Sequence, residues 1–463
     1  MFVFPLLYIF LFILSLRNLA NRKLNGIILF IVFGLPIYTI ALSVSNMYGF
    51  TKFIPILQTF KEVSILCYLI YLIIHINRKI HFHIIDKLML FFFFYTMIYV
   101  FLPLGTYGFF QRVLAFKSLC FFPVVYFTGR MMNVRKINLS EVFHYIFLLS
   151  ILASCVLLYE IIINTHLQTF SGYADYISRF FDQDPTGNYG LSWTFQIENG
   201  MKRFASFFST PLDFATATLI TISALAAFVT NEKNKIHFNN FTALTLFSTL
   251  FAIIFALSRA SFVSYFIIIY TYAVITNNKL IRQVIHYAIL AVMIFILFVT
   301  IKGDFFEFIM NTILFKNESS AGHVIEWLNG IQSMILHPLG IGLGESGRIS
   351  AFTGLNTGGE NEFVIIGVQV GVIALATYII IYAKMVSTAY TMVKERKGKT
   401  RKLGIFIILI KMGLLIPLFT AEIESYIYIS YLVWFLSGLF MSIVSEKVPA
   451  EHRIALINST VYS

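Results

Sequence analysis

The chain has 463 residues, 58% of them hydrophobic and 12% charged, and a mean hydropathy of +0.82. Soluble globular chains carry about 25% charged residues, so a soluble fold is excluded and an all-α polytopic membrane bundle is expected. The net charge of +12 fits the basic bias of cytoplasmic loops and attraction to anionic lipid, and no nucleic-acid partner is expected.

Apolar runs of the length a helix needs to cross a bilayer, about 17 to 25 residues, recur along the whole chain. They fall near 2–16, 26–44, 54–76, 88–104, 112–129, 143–164, 210–229, 240–257, 260–276, 285–301, 362–385, 404–420 and 426–444. The first is short, so the count is twelve or thirteen in one polytopic domain covering 1–463. Residues 1–16 lack the basic start and small-residue cleavage site of a signal peptide. The polar links 17–25, 77–87, 130–141, 231–239, 277–283, 386–403 and 446–463, with Lys384, hold 22 of the 34 Lys and Arg. Basic short links stay cytoplasmic, so strict alternation sends the long segments 165–209 and 302–361 to the outer face. Cys67, Cys120 and Cys155 lie within spans and suggest neither a disulfide framework nor a metal site.

In the first long segment, Asp182-Gln183-Asp184-Pro185 reads as turns and offers a weak Asp-x-Asp pair; no metal or cofactor is expected. Arg203 then precedes the span at 210–229, and Arg259 sits beside Ser258 where two spans meet with almost no loop. A guanidinium at the membrane boundary suits phosphate oxygens; the alternative is snorkelling to headgroups. The second long segment is the expected catalytic loop, because structureless connections of this length usually carry function. Ser319 to Leu336 has Val324, Leu328, Ile331 and Ile335 at helical spacing, which predicts an amphipathic helix stopped by Pro338. His323 and His337 flank it. Gly340, Gly342 and Gly344 permit either close approach to a ligand or a tight turn. Glu360, Asn361 and Glu362 lead into the next span, where a carboxylate at the hydrocarbon edge is suited to act as a general base or to complement the helix dipole. Lys61, Lys117 and Lys411 lie inside spans, where charge is expensive. They serve function or pair with carboxylates such as Glu160, Glu422 or Glu424.

Taken in order, these features resemble the O-antigen polymerase and ligase superfamily. They are Arg203 to Pro211 (Arg-x7-Pro), Ser258-Arg259, a large loop with Trp327 and Pro338 to Gly344, and Glu360-Asn361 with nine residues between it and Gly371. The resemblance covers roughly 200–375. It implies glycosyl transfer on the outer side of the bacterial inner membrane, from an undecaprenyl-diphosphate-linked oligosaccharide, without metal or nucleotide sugar. Ligase-like members carry His-Asn where this chain has Glu360-Asn361, which favours the polymerase branch. The implied roles are catalytic for Glu360, Arg203 and Arg259, and substrate-binding for His337, His323, Asn361, Gly340, Gly342, Gly344 and Lys411. Tyr189, Trp193 and Trp327 are candidates to stack on sugars. Implied partners are membrane lipids and a flippase and chain-length regulator of the same pathway. Ligase-type transfer and a lipid-linked oligosaccharide flippase are the competing readings.

Overall fold

The computed structural model describes residues 1–76, 80–134, 137–181, 184–197, 200–300, 318–348, 350 and 357–445. Among them the chain is helical, with only isolated bridges of Gln196 to Lys202 and Thr230 to Ile236 outside the helices. Each of the thirteen apolar runs contains a helix. In order these are α1 (Val3–Ala20), the broken pair α2 (Asn25–Leu29) and α3 (Tyr38–Met47), α4 (Ile54–Ile74), α5 (Ile84–Phe101), the broken pair α6 (Phe109–Cys120) and α7 (Phe122–Met131), and α8 (Leu139–Ile163). The first long segment then folds into α9 (Leu167–Phe170) and α10 (Tyr173–Phe181), helices that the turn reading of this loop lacked. The run continues through α11 (Pro211–Val229), α12 (Asn240–Ala256), α13 (Arg259–Ile275), α14 (Lys279–Thr300), α15 (Glu318–Leu336), α16 (Glu362–Glu395), α17 (Gly398–Gly413), α18 (Leu415–Thr420) and α19 (Ile427–Val444).

Among the described residues, eight helical segments are long and apolar enough to cross a bilayer, ten if each bent pair is one span. The chain is therefore a multi-pass α-helical membrane protein. The two pairs bend by 63° at 34–38 and 49° at 120–122, next to Pro36 and Pro123, whose missing N–H groups break the helical ladder. Burial separates centre from rim. In α11 and α19, 83% of the span is buried, against 28% in α1 and 33% in α4. The outer helices turn Leu6, Ile56, Ile70 and Phe94 outward, as a lipid-facing wall requires.

Membrane helices gain little from hydrophobic association and instead rely on close packing at small residues. The contact of α7 with α19 shows it: a Cβ at Gly129 would collide with the Phe435 carbonyl oxygen, and one at Gly438 with that of Tyr126. Directly after Gly129, Arg130 pairs with Asp86 at 3.0 Å, both fully buried. Tyr126 Oη donates to Asp86 Oδ1 at 2.6 Å and Arg130 Nη2 to the His81 carbonyl at 2.8 Å.

Other basic links gather at this same end of the bundle. Lys399 Nζ donates to the Ile137 carbonyl at 3.0 Å and Arg401 Nη1 to that of Asn231 at 2.9 Å. The two long polar segments meet at the opposite end, called here the loop end.

Candidate functional site

Two supports hold the loop end. The first is the 165–209 segment. Glu160, in the last turn of α8, accepts the Leu167 N–H at 2.7 Å and the Ser206 N–H at 2.9 Å, so one carboxylate ties down both ends of the loop. Gln168 Nε2 adds bonds to the carbonyls of Ser206 (2.9 Å) and Phe208 (2.8 Å). Tyr173, Leu191, Phe195 and Ala205 then form a small separate core. His166 is buried against the rings of Tyr189, Phe195 and Phe204. Burial, with the Lys202 cation adding to it, pushes its pKa down to about 4.

The second support is a break in α16. At Gly371 the backbone takes φ 86° and ψ 172°, a region open essentially only to glycine. A Cβ there would lie 2.6 Å from the Pro338 carbonyl oxygen. The freed backbone groups at the break bond instead to the glycine run: Ile341 N–H to the Val368 carbonyl at 2.8 Å, and Val372 N–H to that of Pro338 at 2.9 Å. The Gln369 side chain accepts from Gly344 N–H at 2.9 Å and donates to the Ser346 carbonyl at 2.8 Å. Asn361 caps the first half of the broken helix by accepting from the N–H groups of Phe363 (3.0 Å) and Val364 (3.3 Å). This half-helix therefore carries Glu360 on one side and, through Gln369, the strand of loop that reaches Arg348 on the other.

Between the two supports lies a cavity of about 370 Å³, walled by Tyr173, Asp184, Ser192, Arg348, Glu360, Glu422 and Tyr426 among others. A second cavity of about 460 Å³ lies deeper, among the loop-end halves of α4, α6, α11 and α19. Tyr173, Thr210, Arg348, Ser425 and Tyr426 line both, so the loop chamber and the bundle chamber adjoin across them.

Arg348 stands at this junction. It is exposed to the chambers although protein surrounds it, and its backbone N–H donates to Glu422 Oε2 at 2.8 Å. Burial works against its charge, but the Glu422 carboxylate, with Tyr426, Tyr173 and Glu360, outweighs it and holds the guanidinium pKa above its ordinary value. Burial pushes the Glu422 carboxyl up, against the Arg348 cation that pulls it down; Glu360 adds to the rise. One cation held among two carboxylates and two phenols can bind an anionic group, and the carboxylates can accept a proton from a bound hydroxyl.

Glu360 thus lies in the chamber wall. Arg203 and Arg259 are brought together at the α12–α13 junction, where Arg203 Nε donates to the Ala256 carbonyl at 3.2 Å. Neither is among the residues lining the two chambers. Burial, opposed by Tyr426 and reinforced by Arg259, lowers the Arg203 pKa to about 10, which leaves it charged at neutral pH. Gly340 and Gly342 approach protein backbone, at Gln369 and Gly371 for the first and Leu104 for the second, and Gly344 donates its N–H to the Gln369 side chain. His337 is exposed at the turn after α15, away from both linings. The side chain of His323 and residues 182–183 lie outside the described residues.

Lys411 is deep in the bundle, its Nζ 3.3 Å from the Trp434 ring centroid and facing a small cavity shared with Glu424. Lys61 and Lys117 pair with Glu62, each at 3.1 Å, rather than with Glu160, Glu422 or Glu424. Arg348, Tyr426 and Glu62 were not singled out from sequence, and Glu422 was named only as a pairing partner for a lysine inside a span. The one available signal was that Arg348 closely follows the glycine run. Among the described residues no three His, Cys, Asp or Glu side chains are grouped to hold a metal. No family model and no curated protein matches the chain.

Proposed function

We propose that this protein is a membrane polysaccharide polymerase. It would join undecaprenyl-diphosphate-linked oligosaccharide repeat units, with the loop end facing outward from a bacterial inner membrane. The observation that carries the reading is the pairing of a polar loop chamber, with Arg348 between Glu360 and Glu422, and an adjoining chamber inside the bundle. A substrate that is half sugar and half lipid needs such a pair: an aqueous room for the reacting glycan and a passage into the membrane for its anchor.

In the proposed reaction a hydroxyl of the acceptor repeat attacks the anomeric carbon of the donor. The bond from that carbon to the diphosphate oxygen breaks, and the electron pair leaves with the lipid diphosphate. Glu360 accepts the hydroxyl proton, and Arg348 offsets negative charge growing on the leaving group. Glu422 keeps Arg348 in place. Arg203 and Arg259, outside both linings, would add to the positive potential of the loop end. A flippase and a chain-length regulator would be the natural partners of such an enzyme. A ligase would use the same donor chemistry and differ only in its acceptor.

The test supplies purified full-length protein with lipid-linked repeat units and resolves products by length. Wild type should give a ladder, while Glu360→Gln and Arg348→Gln should each slow elongation about 100-fold or more, the usual cost of losing a general base or a charge-stabilising group. A transporter would give no ladder at all. A ladder of normal rate from both variants would remove the proposal.

A further inference from the structure

We infer that α15 lies within the bilayer rather than in the water above it, with its outward face covered by lipid acyl chains. The inference concerns the membrane alone and does not depend on the proposed reaction.

The stretch from Gly330 to Leu339 is tied at both ends to residues inside spans. α15 packs along the first half of α16. A Cβ at Gly330 would collide with Val364, and one at Gly367 with Met334 Sδ. Phe363, beside Val364, has its ring 6.2 Å from that of Tyr378, which is itself 6.2 Å from Phe92, halfway along α5. At the other end the Leu339 carbonyl accepts from Tyr99 Oη, in the last turn of α5, at 2.5 Å. Tyr95 Oη, one turn deeper, lies 3.0 Å from the same hydroxyl. Non-helical backbone at membrane depth is tolerated only where protein satisfies it. The turn after α15 meets that condition. Gly340 N–H donates to the His337 carbonyl at 2.8 Å, Ile341 N–H to that of Val368 at 2.8 Å and Gly342 N–H to that of Gln369 at 3.2 Å. The chain then climbs past Glu345, which accepts from Thr106 Oγ1 at 2.9 Å, and re-enters the loop chamber at Arg348.

The two faces of α15 are inverted relative to a helix in water, which buries its apolar stripe and shows its polar one. Glu326, against Gly359, and Gly330 and Met334 point inward. Ile325, Leu328, Ile331, Ile335 and Leu336 fall on the opposite side and are all exposed. Ile335, at 74%, is as open as Phe101 of α5, at 68%. From Trp327 to Gly344 the chain has no Asp, Glu, Lys or Arg. This outward face also continues the lipid-facing wall. Leu339, exposed past the end of α15, is bonded to Tyr99 between the exposed Ile98 and Phe101. On its other side Pro338 is bonded to Val372, which with Ile373 forms an exposed apolar edge of α16. One apolar surface therefore runs from α5 and α16 onto α15, and acyl chains that cover the first two meet the third.

The experiment places a tryptophan on the outward face, as Ile335→Trp or Leu328→Trp, in full-length protein held singly in phosphatidylcholine nanodiscs. Its fluorescence is taken as the difference from wild type. Two quenchers are compared: bromine carried on the lipid acyl chains, and iodide in the water. Phe94→Trp, on the exposed wall of α5, is the lipid reference, and Thr186→Trp, in the exposed loop, is the water reference. Brominated lipid should quench Ile335→Trp at least half as strongly as Phe94→Trp, and iodide should quench it far less than Thr186→Trp. Melting of each variant checks the fold, and Leu328→Trp carries the same test if Ile335→Trp is unstable. Quenching by iodide and not by brominated lipid would overturn the inference, because the face would then lie in water, open to a glycan or a soluble partner. Quenching by neither would overturn it as well, since protein would then cover the face. Polymer formation is not the readout, so the proposed function can fail without touching this result.

Discussion

Acid should loosen the wall of the loop chamber through His166. The ring is buried, its Nε2 has no hydrogen-bond partner among the described residues, and three aromatic rings surround it at centroid distances of 5.3–5.5 Å. Burial and the nearby Lys202 put its folded pKa at about 4 against 6.5 for the free side chain. Between these values the unfolded chain binds the proton and the folded chain does not. Stability therefore rises with pH across that window. The contribution is complete above pH ~6.5 and is lost as pH falls toward 4, reaching ~2.5 kcal/mol at pH 4.5 and ~3 kcal/mol below it, at ~1.4 kcal/mol per decade of proton binding.

The assay is reversible unfolding in detergent at pH 7.5 and 4.5, comparing wild type with His166→Phe, which keeps a ring in the aromatic nest but cannot titrate. Both proteins share every other titrating group, so the change in their stability difference isolates His166. Wild type should lose ~2.5 kcal/mol more than the variant between the two pH values. Hydrogen exchange should also accelerate first in 166–181 and 184–197, the part of the loop closest to this ring. Parallel pH dependences for the two proteins would refute the reasoning. They would mean that the ring is protonated in the fold or that water reaches it freely.

Substituting Gly438 by Val would drive a side chain into the Tyr126 carbonyl; about 3 kcal/mol or more should be lost in the same unfolding assay, the upper range for overpacking. Asp86→Asn strands the Arg130 cation in a fully buried position and should cost about 3–5 kcal/mol, part of which Arg130→Met in the double variant should restore. Gly371→Ala sets the φ preference and the 2.6 Å contact with Pro338 against the break in α16. It should destabilise by at least about 1–3 kcal/mol, and polymer formation should fall with it because Glu360 sits at the tip of the displaced half-helix.

The membrane class was legible from hydropathy alone, because a helix in lipid must satisfy its backbone internally and must be apolar on the outside. Hydropathy says nothing about whether such a run is continuous. The run 26–44 contains Pro36 and that at 112–129 contains Pro123, and both are bent pairs. The break at Gly371 has no proline and is set by a partner thirty residues earlier, the 338–341 backbone that takes over its hydrogen bonds. That pairing is a tertiary fact. The amphipathic helix expected over Ser319 to Leu336 appears as Glu318–Leu336, since its period lies within one segment. The glycines after it were read equally as a ligand loop or a turn, and the close approaches they permit are to the broken helix at Gly340 and to the Leu104 backbone at Gly342.

The site was legible in part for the same reason. Glu360 stood out because its neighbours in sequence, a long polar loop before and an apolar span after, already define a boundary. Arg348 has no such marker. Its importance comes from Glu422 and Tyr426, more than seventy residues away and delivered by the short connection between α18 and α19. The lysines carry the same lesson in reverse. Lys61 and Lys117 look like isolated liabilities inside two separate spans, and a single carboxylate next to one of them, Glu62, makes a pair into a cluster. Asp213 and Glu424 line the same chamber, so three carboxylates meet Lys61, Lys117 and Arg348 there. The charges that looked isolated along the chain are thus gathered by the fold, because elements far apart in sequence deliver their partners to one space.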